Sequence, residues 1–265
     1  MIYVGTCGYG YEDWTGVFYP PEVSRSERLA FYAAEFEAVE LDFTYYHMPT
    51  AEHLRSLAAQ APAAQALPAT GFQFAVKAHQ DMTHNRRGGP APFAQFRAAV
   101  APLQRGGQLG AVLLQFPYSF HRSDENVRYL EHCFELLPDL PLVVEFRSKE
   151  WLSQRTLGLL REAGVGFCNV DLPELPGLPP RTAFVTSETA YVRLHGRNAA
   201  KWWEHDEAWE RYDYSYTEQE LSEWVPHLRE MDAEAERVYV FANNHWEGQA
   251  VATARQLRLF LGQET

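Results

Sequence analysis

The chain has 265 residues, 46% of them hydrophobic and 14% aromatic. That is enough for a large core and matches the usual length of one (β/α)8 barrel. A formal net charge of −12 argues against a protein whose whole surface grips nucleic acid, because phosphate neutralisation needs a dense basic face. No run of about 18 apolar residues predicts a membrane span, and the opening MIYVGTCGYG enters a strand without a basic-then-apolar leader. The three cysteines, Cys7, Cys133 and Cys168, have no CxxC spacing and fit a reduced, cytoplasmic setting.

Strand-like and helix-like runs alternate throughout. The first strand, IYVGTCGYG, leads into an aromatic loop and a helical stretch from about Glu27 to Glu37. The second strand, AVELDF, is followed by YYHMPT and a helix near Ala51 to Ala61, with Thr50 as N-cap and Pro62 as stop. After the small-residue loop PAAQALPATG come the third strand, FQFAVK, the polar loop AHQDMTHNRRGGPAP and the helix FAQFRAAVAPL. The fourth strand, GAVLLQF, ends at Pro117, and Ser123 caps DENVRYLEHCFELL. The fifth, PLVVEF, precedes the helix QRTLGLLREAG, and the sixth, VGFCNV, precedes a proline-rich excursion, DLPELPGLPPR. The seventh, AYVRLHG, opens a loop of about twenty residues dense in aromatics, KWWEHDEAWERYDYSY. Thr217 then starts a helix that Pro226 is expected to bend. The last strand, RVYVFANN, is followed by HWEGQ and AVATARQLRLFL. Eight strands alternating with helices predict a parallel sheet, and at this length a closed, single-domain (β/α)8 barrel spanning 1–265. No GxGxxG or GxxxxGK[ST] pattern follows any strand, so neither nucleotide-binding fold is supported.

The strand ends carry the functional signal. Residues two apart on a strand share a face, so Glu40 with Asp42, Lys77 with His79, Glu145 with Arg147, Asn169 with Asp171, Arg193 with His195, and Asn243 with His245 each point one way, joined by Gln115 and by Thr6 and Gly8 of the first strand. Active sites of such barrels lie at the C-terminal ends of the strands. A buried ring of charge is costly unless it is paired or binds something. Only three of the 23 basic residues are lysines, so Lys77 at a strand end stands out as a point donor that can lose its proton.

At this point whole motifs become recognisable. GTCGYGYEDWTGVFYP, ELDFTYYHMP, FAVKAHQDMTH, LLQFPYSF, VEFRSKEW, YVRLHGR, YDYSYTEQEL and FANNHWEGQA together resemble the YecE-like family (domain of unknown function 72), in the family's order and over essentially the whole chain. The resemblance implies a TIM-type barrel and no established activity. Tyr9 stands where the family usually has tryptophan, and Tyr118 where it has a second proline after Pro117. The barrel has been likened to metal-dependent apurinic endonucleases, which introduces a nuclease reading.

The residue types favour an anion site. Lys77, Arg147, Arg193 and Arg197 can grip phosphate or carboxylate, arginine doing so bidentately. Asn243 and Asn244 can read hydroxyls or an amide. Glu145 and His195 are the expected acid–base pair, with Glu40 and Lys77 as further catalytic candidates. Asp42, His79, His84, Tyr45 and Trp14 are expected to line the pocket, with aromatics stacking on a sugar or base. Thr83 joins His84 in the loop after strand three, and Cys7 is a candidate nucleophile on position alone. The expectation is therefore an enzyme, of hydrolase or lyase type, acting on a small or oligomeric anionic substrate, phosphorylated or nucleotide-like, with no organic cofactor. The alternatives are a module binding single-stranded nucleic acid or a nucleotide, and a divalent-metal nuclease. The metal reading is weakened because Lys77, Arg147 and Arg193 would repel a cation and no HxH or HExxH spacing occurs. The bland reading is that the charges form a salt-bridge plug filling the barrel. No exposed apolar stripe indicates an oligomer.

Overall fold

Eight parallel strands close on themselves in sequence order, β1 (Ile2–Cys7), β2 (Ala38–Leu41), β3 (Gln73–Lys77), β4 (Leu109–Gln115), β5 (Leu142–Glu145), β6 (Gly166–Asp171), β7 (Thr189–Leu194) and β8 (Arg237–Ala242), with β8 paired back to β1. The computed structural model describes residues 1–61 and 71–263. The stop expected at Pro62 and most of the loop after it lie outside the described residues. The helices are α1 (Arg28–Ala33), α2 (Ala51–Gln60), α3 (Gln80–Thr83), α4 (Ala91–Arg105), α5 (Asp124–Leu136), α6 (Gln154–Glu162), α7 (Glu218–Ser222), α8 (Trp224–Glu234) and α9 (Gln249–Leu261). The fold is a single (β/α)8 TIM-type barrel. No helix among the described residues is long and apolar enough to cross a membrane.

The caps expected from sequence set the helix starts. The Thr50 and Ser123 side chains, and that of Ser153, which the sequence reading did not single out, accept the backbone N–H three residues on, at 3.1, 3.2 and 3.2 Å, which satisfies donors that have no partner inside the helix. Thr217 and Glu220 form a reciprocal capping box at α7. The helical run after Thr217 breaks at Glu223, before Pro226, so Pro226 sits in the first turn of α8, where a missing N–H costs nothing.

Strand parity divides the core. One face of each strand packs against the helices through residues such as Val39, Phe74, Val112, Val144 and Val240. The other face fills the barrel. At its lower end Tyr3 stacks on Tyr239 at 5.1 Å, Tyr191 packs beside them, and the Tyr239 hydroxyl reaches Gln73 Oε1 at 3.3 Å. Ala38, Ala75 and Ala111 leave room for these rings. Gly5 is required where β1 meets β2, because a Cβ there would lie 2.1 Å from the Ala38 carbonyl oxygen. Aromatic bulk low in the barrel leaves the upper half to polar side chains.

Two strands depart from the expected parity. On β6 the interior takes Cys168 and Val170, and Asn169 and Asp171 face the outer layer. The Asn169 amide bonds the Phe184 and Tyr191 carbonyls, the Thr182 hydroxyl and the Phe184 N–H. Asp171 is gripped by Arg197 on both oxygens at 2.8 Å and by the Trp224 indole at 2.7 Å. On β1 the interior residue is Cys7, while Thr6 turns outward to the Tyr32 hydroxyl.

Candidate functional site

The interior charges form two layers. In the lower one Arg193, from β7, is clamped between carboxylates of β2 and β5. It donates to Glu40 Oε1 at 2.8 Å and to Glu145 Oε2 at 2.6 Å, and reaches Cys7 Sγ at 3.4 Å. Tyr191 donates to the other Glu40 oxygen at 2.7 Å. Glu40 and Glu145 are fully buried. This layer is a closed ion-pair floor, as the plug reading expects. Burial alone would raise the Glu145 carboxyl, but the Arg147 and Arg193 guanidinium groups outweigh it and hold it well below the carboxylate range. The Cys7 thiol is pushed well up, burial being the main cause, which removes the thiolate a nucleophile needs.

Above the floor, Glu145 also accepts from Arg147 Nε and lies 3.2 Å from His195 Nε2. His195 Nδ1 faces the Asn243 amide nitrogen at 2.9 Å, and its Nε2 faces the Arg147 guanidinium at 3.4 Å as well as Glu145. Burial, then the Arg147 guanidinium, push the His195 pKa down to about 3, so the ring is neutral.

The upper layer is different. Lys77 Nζ lies 4.3 Å from the Tyr45 ring centroid and makes no ion pair among the described residues. Burial first, and then Arg193, hold its ammonium below the ordinary value. The Trp202 indole, itself buried, supports two guanidinium groups, Arg147 at 5.7 Å and Arg211 at 5.3 Å. Arg211 donates to the Trp202 carbonyl at 3.1 Å and touches His205 at 3.2 Å. Lys77, Arg147 and Arg211 line one cavity of about 280 Å³ with Tyr45, His84 and Gln115, and no carboxylate is among its lining residues. His84 is pushed down to about 4, mainly by burial and then by Lys77 and Arg147, so it adds no charge at neutral pH. The rim carries Tyr46, Tyr118 and Trp203, which are 64%, 36% and 49% exposed. Rings of that size left in water around a polar mouth are the kind of exposure that marks a binding surface.

A second cavity of about 300 Å³ adjoins the first. Lys77, Arg147, Tyr46 and Tyr212 border both. Its far side is lined by Asp42, Arg193, Glu207, Asn243 and His245. Tyr212 closes the short 3-10 helix Ala208–Tyr212 in the loop after β7. Burial alone would raise its phenol, but Arg147 and Arg211, with Lys77 and Arg193, outweigh this and hold it below its ordinary value.

Several expected site residues lie elsewhere. Trp14 is fully buried in the aromatic cluster under the first loop, where its indole donates to the His245 carbonyl at 2.7 Å. Asn244 points away from the cavity, donating to the Tyr214 carbonyl and the Thr253 hydroxyl, both at 2.9 Å, because it has the opposite parity to Asn243. His79 caps α3, accepting the Asp81 N–H at 3.3 Å. Arg197 is taken up by Asp171, with Glu220 at 3.0 Å. Glu145 and His195 lie beneath the cavities rather than in their linings. Asp42 borders the second cavity while accepting from the Tyr11 hydroxyl at 2.9 Å. Sequence reasoning singled out neither Arg211 nor a separate role for Tyr212, because both ride on a loop without strand parity. The aromatic density of that loop was the available signal. Among the described residues, no three His, Cys, Asp or Glu side chains are grouped so as to hold a metal ion.

The molecule is thus a (β/α)8 barrel whose mouth is polar and cationic at the C-terminal ends of the strands. Residues 3–265 match the model of the family described as "Protein of unknown function DUF72", and the chain belongs to that family. It is 33% identical to the UPF0759 protein YunF of Bacillus subtilis (strain 168), covering 97% of this chain and 93% of that one. A crystal structure of a DUF72 family protein from Thermotoga maritima MSB8 superposes with a TM-score of 0.89 at 38% identity, over 99% of each chain. One from Enterococcus faecalis V583 does so with a TM-score of 0.87 at 27% identity, over 100% of this chain and 97% of that one.

Proposed function

We propose that the protein is an enzyme that binds a small anionic substrate, phosphorylated or nucleotide-like, in the barrel mouth and acts on it by acid–base chemistry. The observation that carries this reading is the cavity lined by Lys77, Arg147 and Arg211 and by no carboxylate. Arg147 shares Glu145 with Arg193, but Lys77 and Arg211 have no carboxylate partner among the described residues; cations held so in a partly dry site are costly, and an anion there relieves that cost with charge-assisted hydrogen bonds. Arg147 and Arg211 would hold the anion from the Trp202 platform. Glu145 and His195 would fix Arg147 from below. Lys77 and Tyr212, both shifted toward neutral pH, would exchange protons with the substrate, a pairing that suits hydrolysis or elimination. No cofactor is needed for such a step.

Phosphate or sulfate at about 100 times its Kd should stabilise the native protein by about 2.7 kcal/mol. Arg211→Ala should fold and lose most of that gain. Thermal melts of both proteins with and without anion decide the matter, and wild type that gains no stability from either anion would remove the basis for the proposal. A second reading, a module for single-stranded nucleic acid, is supported by the exposed ring edge of Tyr46, Tyr118 and Trp203. It requires oligodeoxythymidylate binding that weakens steeply with salt and is lost in Trp203→Ala.

A further inference from the structure

The two cavities of the mouth differ in chemistry. The first presents three cations and no carboxylate. The second adds two carboxylates, Asp42 and Glu207, together with the Asn243 amide and the His245 imidazole. His245 Nδ1 is buried without a hydrogen-bond partner, and burial lowers the ring's pKa, so this nitrogen belongs to a neutral imidazole. A second anionic group would be repelled by Asp42 and Glu207. A second cationic group would meet Arg193, Lys77 and Arg147 on the same walls. What suits this chamber is a neutral group rich in O–H donors, since carboxylates accept from hydroxyls and amides read them both ways. Trp209, stacked on Trp246 at 3.7 Å, also lines it and offers a flat apolar wall.

We infer that the substrate is a phosphorylated sugar that spans both chambers, its phosphate among Lys77, Arg147 and Arg211 and its hydroxyl-bearing body against Asp42, Glu207 and Asn243. This rests on the reading of the first chamber as an anion site. Tyr212 borders both chambers, so the carbon next to the phosphate ester lies beside its phenol. Binding the two ends separately cannot match binding them together, because the joined molecule loses its freedom of motion once. The aromatic rim admits a nucleotide as the competing source of the same phosphate, with its base on Trp203 instead of its sugar on Asp42.

Calorimetric titration of the whole chain with inorganic phosphate, glucose 6-phosphate, ribose 5-phosphate, adenosine monophosphate and glucose separates these cases. The expected result is that at least one sugar phosphate binds tenfold or more tighter than inorganic phosphate and tighter than adenosine monophosphate. Asp42→Asn should cut that advantage at least fivefold and leave phosphate affinity within twofold. Glu207 is exposed, so Glu207→Gln gives a second variant if Asp42→Asn, which meets Tyr11, folds poorly. Equal affinity for phosphate and every sugar phosphate overturns the inference, as does an advantage untouched in both variants. Tightest binding by adenosine monophosphate, lost in Trp203→Ala, also overturns it in favour of a nucleotide. Failure of phosphate itself to bind, with no effect of Arg211→Ala on any titration, would instead overturn the anion reading beneath it.

Discussion

At the scale of single residues, the question raised by a buried ring of charge has two answers in one molecule. Arg193 belongs to the scaffold: both carboxylates it touches are fully buried, and its guanidinium is 2% exposed. Arg193→Met keeps much of the stem volume and strands Glu40 without a cation, while Glu145 keeps Arg147. Breaking a buried pair in this way costs about 3–5 kcal/mol. Combining it with Glu40→Gln removes the stranded charge and should recover a large part of that loss, a coupling that denaturant melts of the two single variants and the double variant would measure. Simple additivity in that cycle would show that the floor is not one network. Among the described residues Lys77 and Arg211 have no such partner, so their removal is expected to cost little stability and most of the anion response.

At the scale of elements, β6 shows how a polar side chain can organise a loop from outside the barrel. The Asn169 amide uses both its N–H side and its oxygen to hold the Thr182 and Phe184 segment that returns from the proline-rich excursion. Leucine at this position fits a strand but leaves the Phe184 N–H and carbonyl without their partner. The expected cost of Asn169→Leu is about 1–3 kcal/mol, the price of unsatisfied buried backbone groups. Limited proteolysis should then cut first between residues 172 and 186. Cleavage at the same site and rate in wild type and variant would mean that the excursion is held by other contacts. The loop after β7 works on the same principle, since Trp202 anchors it in the core while presenting Arg147 and Arg211 to the mouth.

At the scale of the whole molecule, neutral histidines buried beside cations link stability to pH. The folded pKa of His195 is about 3, against about 6.5 for a free imidazole. Between those values the unfolded chain binds more protons than the folded one, so stability is fully present above pH 6.5 and falls as the pH drops. At pH 5 the loss from His195 alone amounts to about 2 kcal/mol. His84, pushed down to about 4, adds to it in the same direction, and Glu145 contributes only once the pH enters the carboxylate range. Guanidinium unfolding at pH 7.5 and pH 5.0 should show this decline in wild type and a shallower one in His195→Gln. Equal slopes in the two proteins would mean that His195 titrates normally.

The sequence by itself determined the barrel, its strand order, most helix starts and the end at which polar residues gather. Each of these follows from local chemistry: period-2 and period-3.6 apolar patterns, Thr and Ser caps, and charged residues two apart at strand ends. It also brought Glu40, Lys77, Glu145, Arg147, Arg193, His195 and Asn243 to one end of one interior. It misplaced Asn169 and Asp171, because alternation states which residues share a face and not which face is inside. On β6 that choice was made by partners from the excursion and from Trp224, distant in sequence. It could not separate Arg193 from Arg211 either. A guanidinium clamped between two carboxylates and one held open on an indole are the same letter in the chain, and only the closure of the barrel, which sets Glu40 and Glu145 on either side of Arg193 and lays the β7 loop across the mouth, decided which charge is spent on the scaffold and which is left for a ligand.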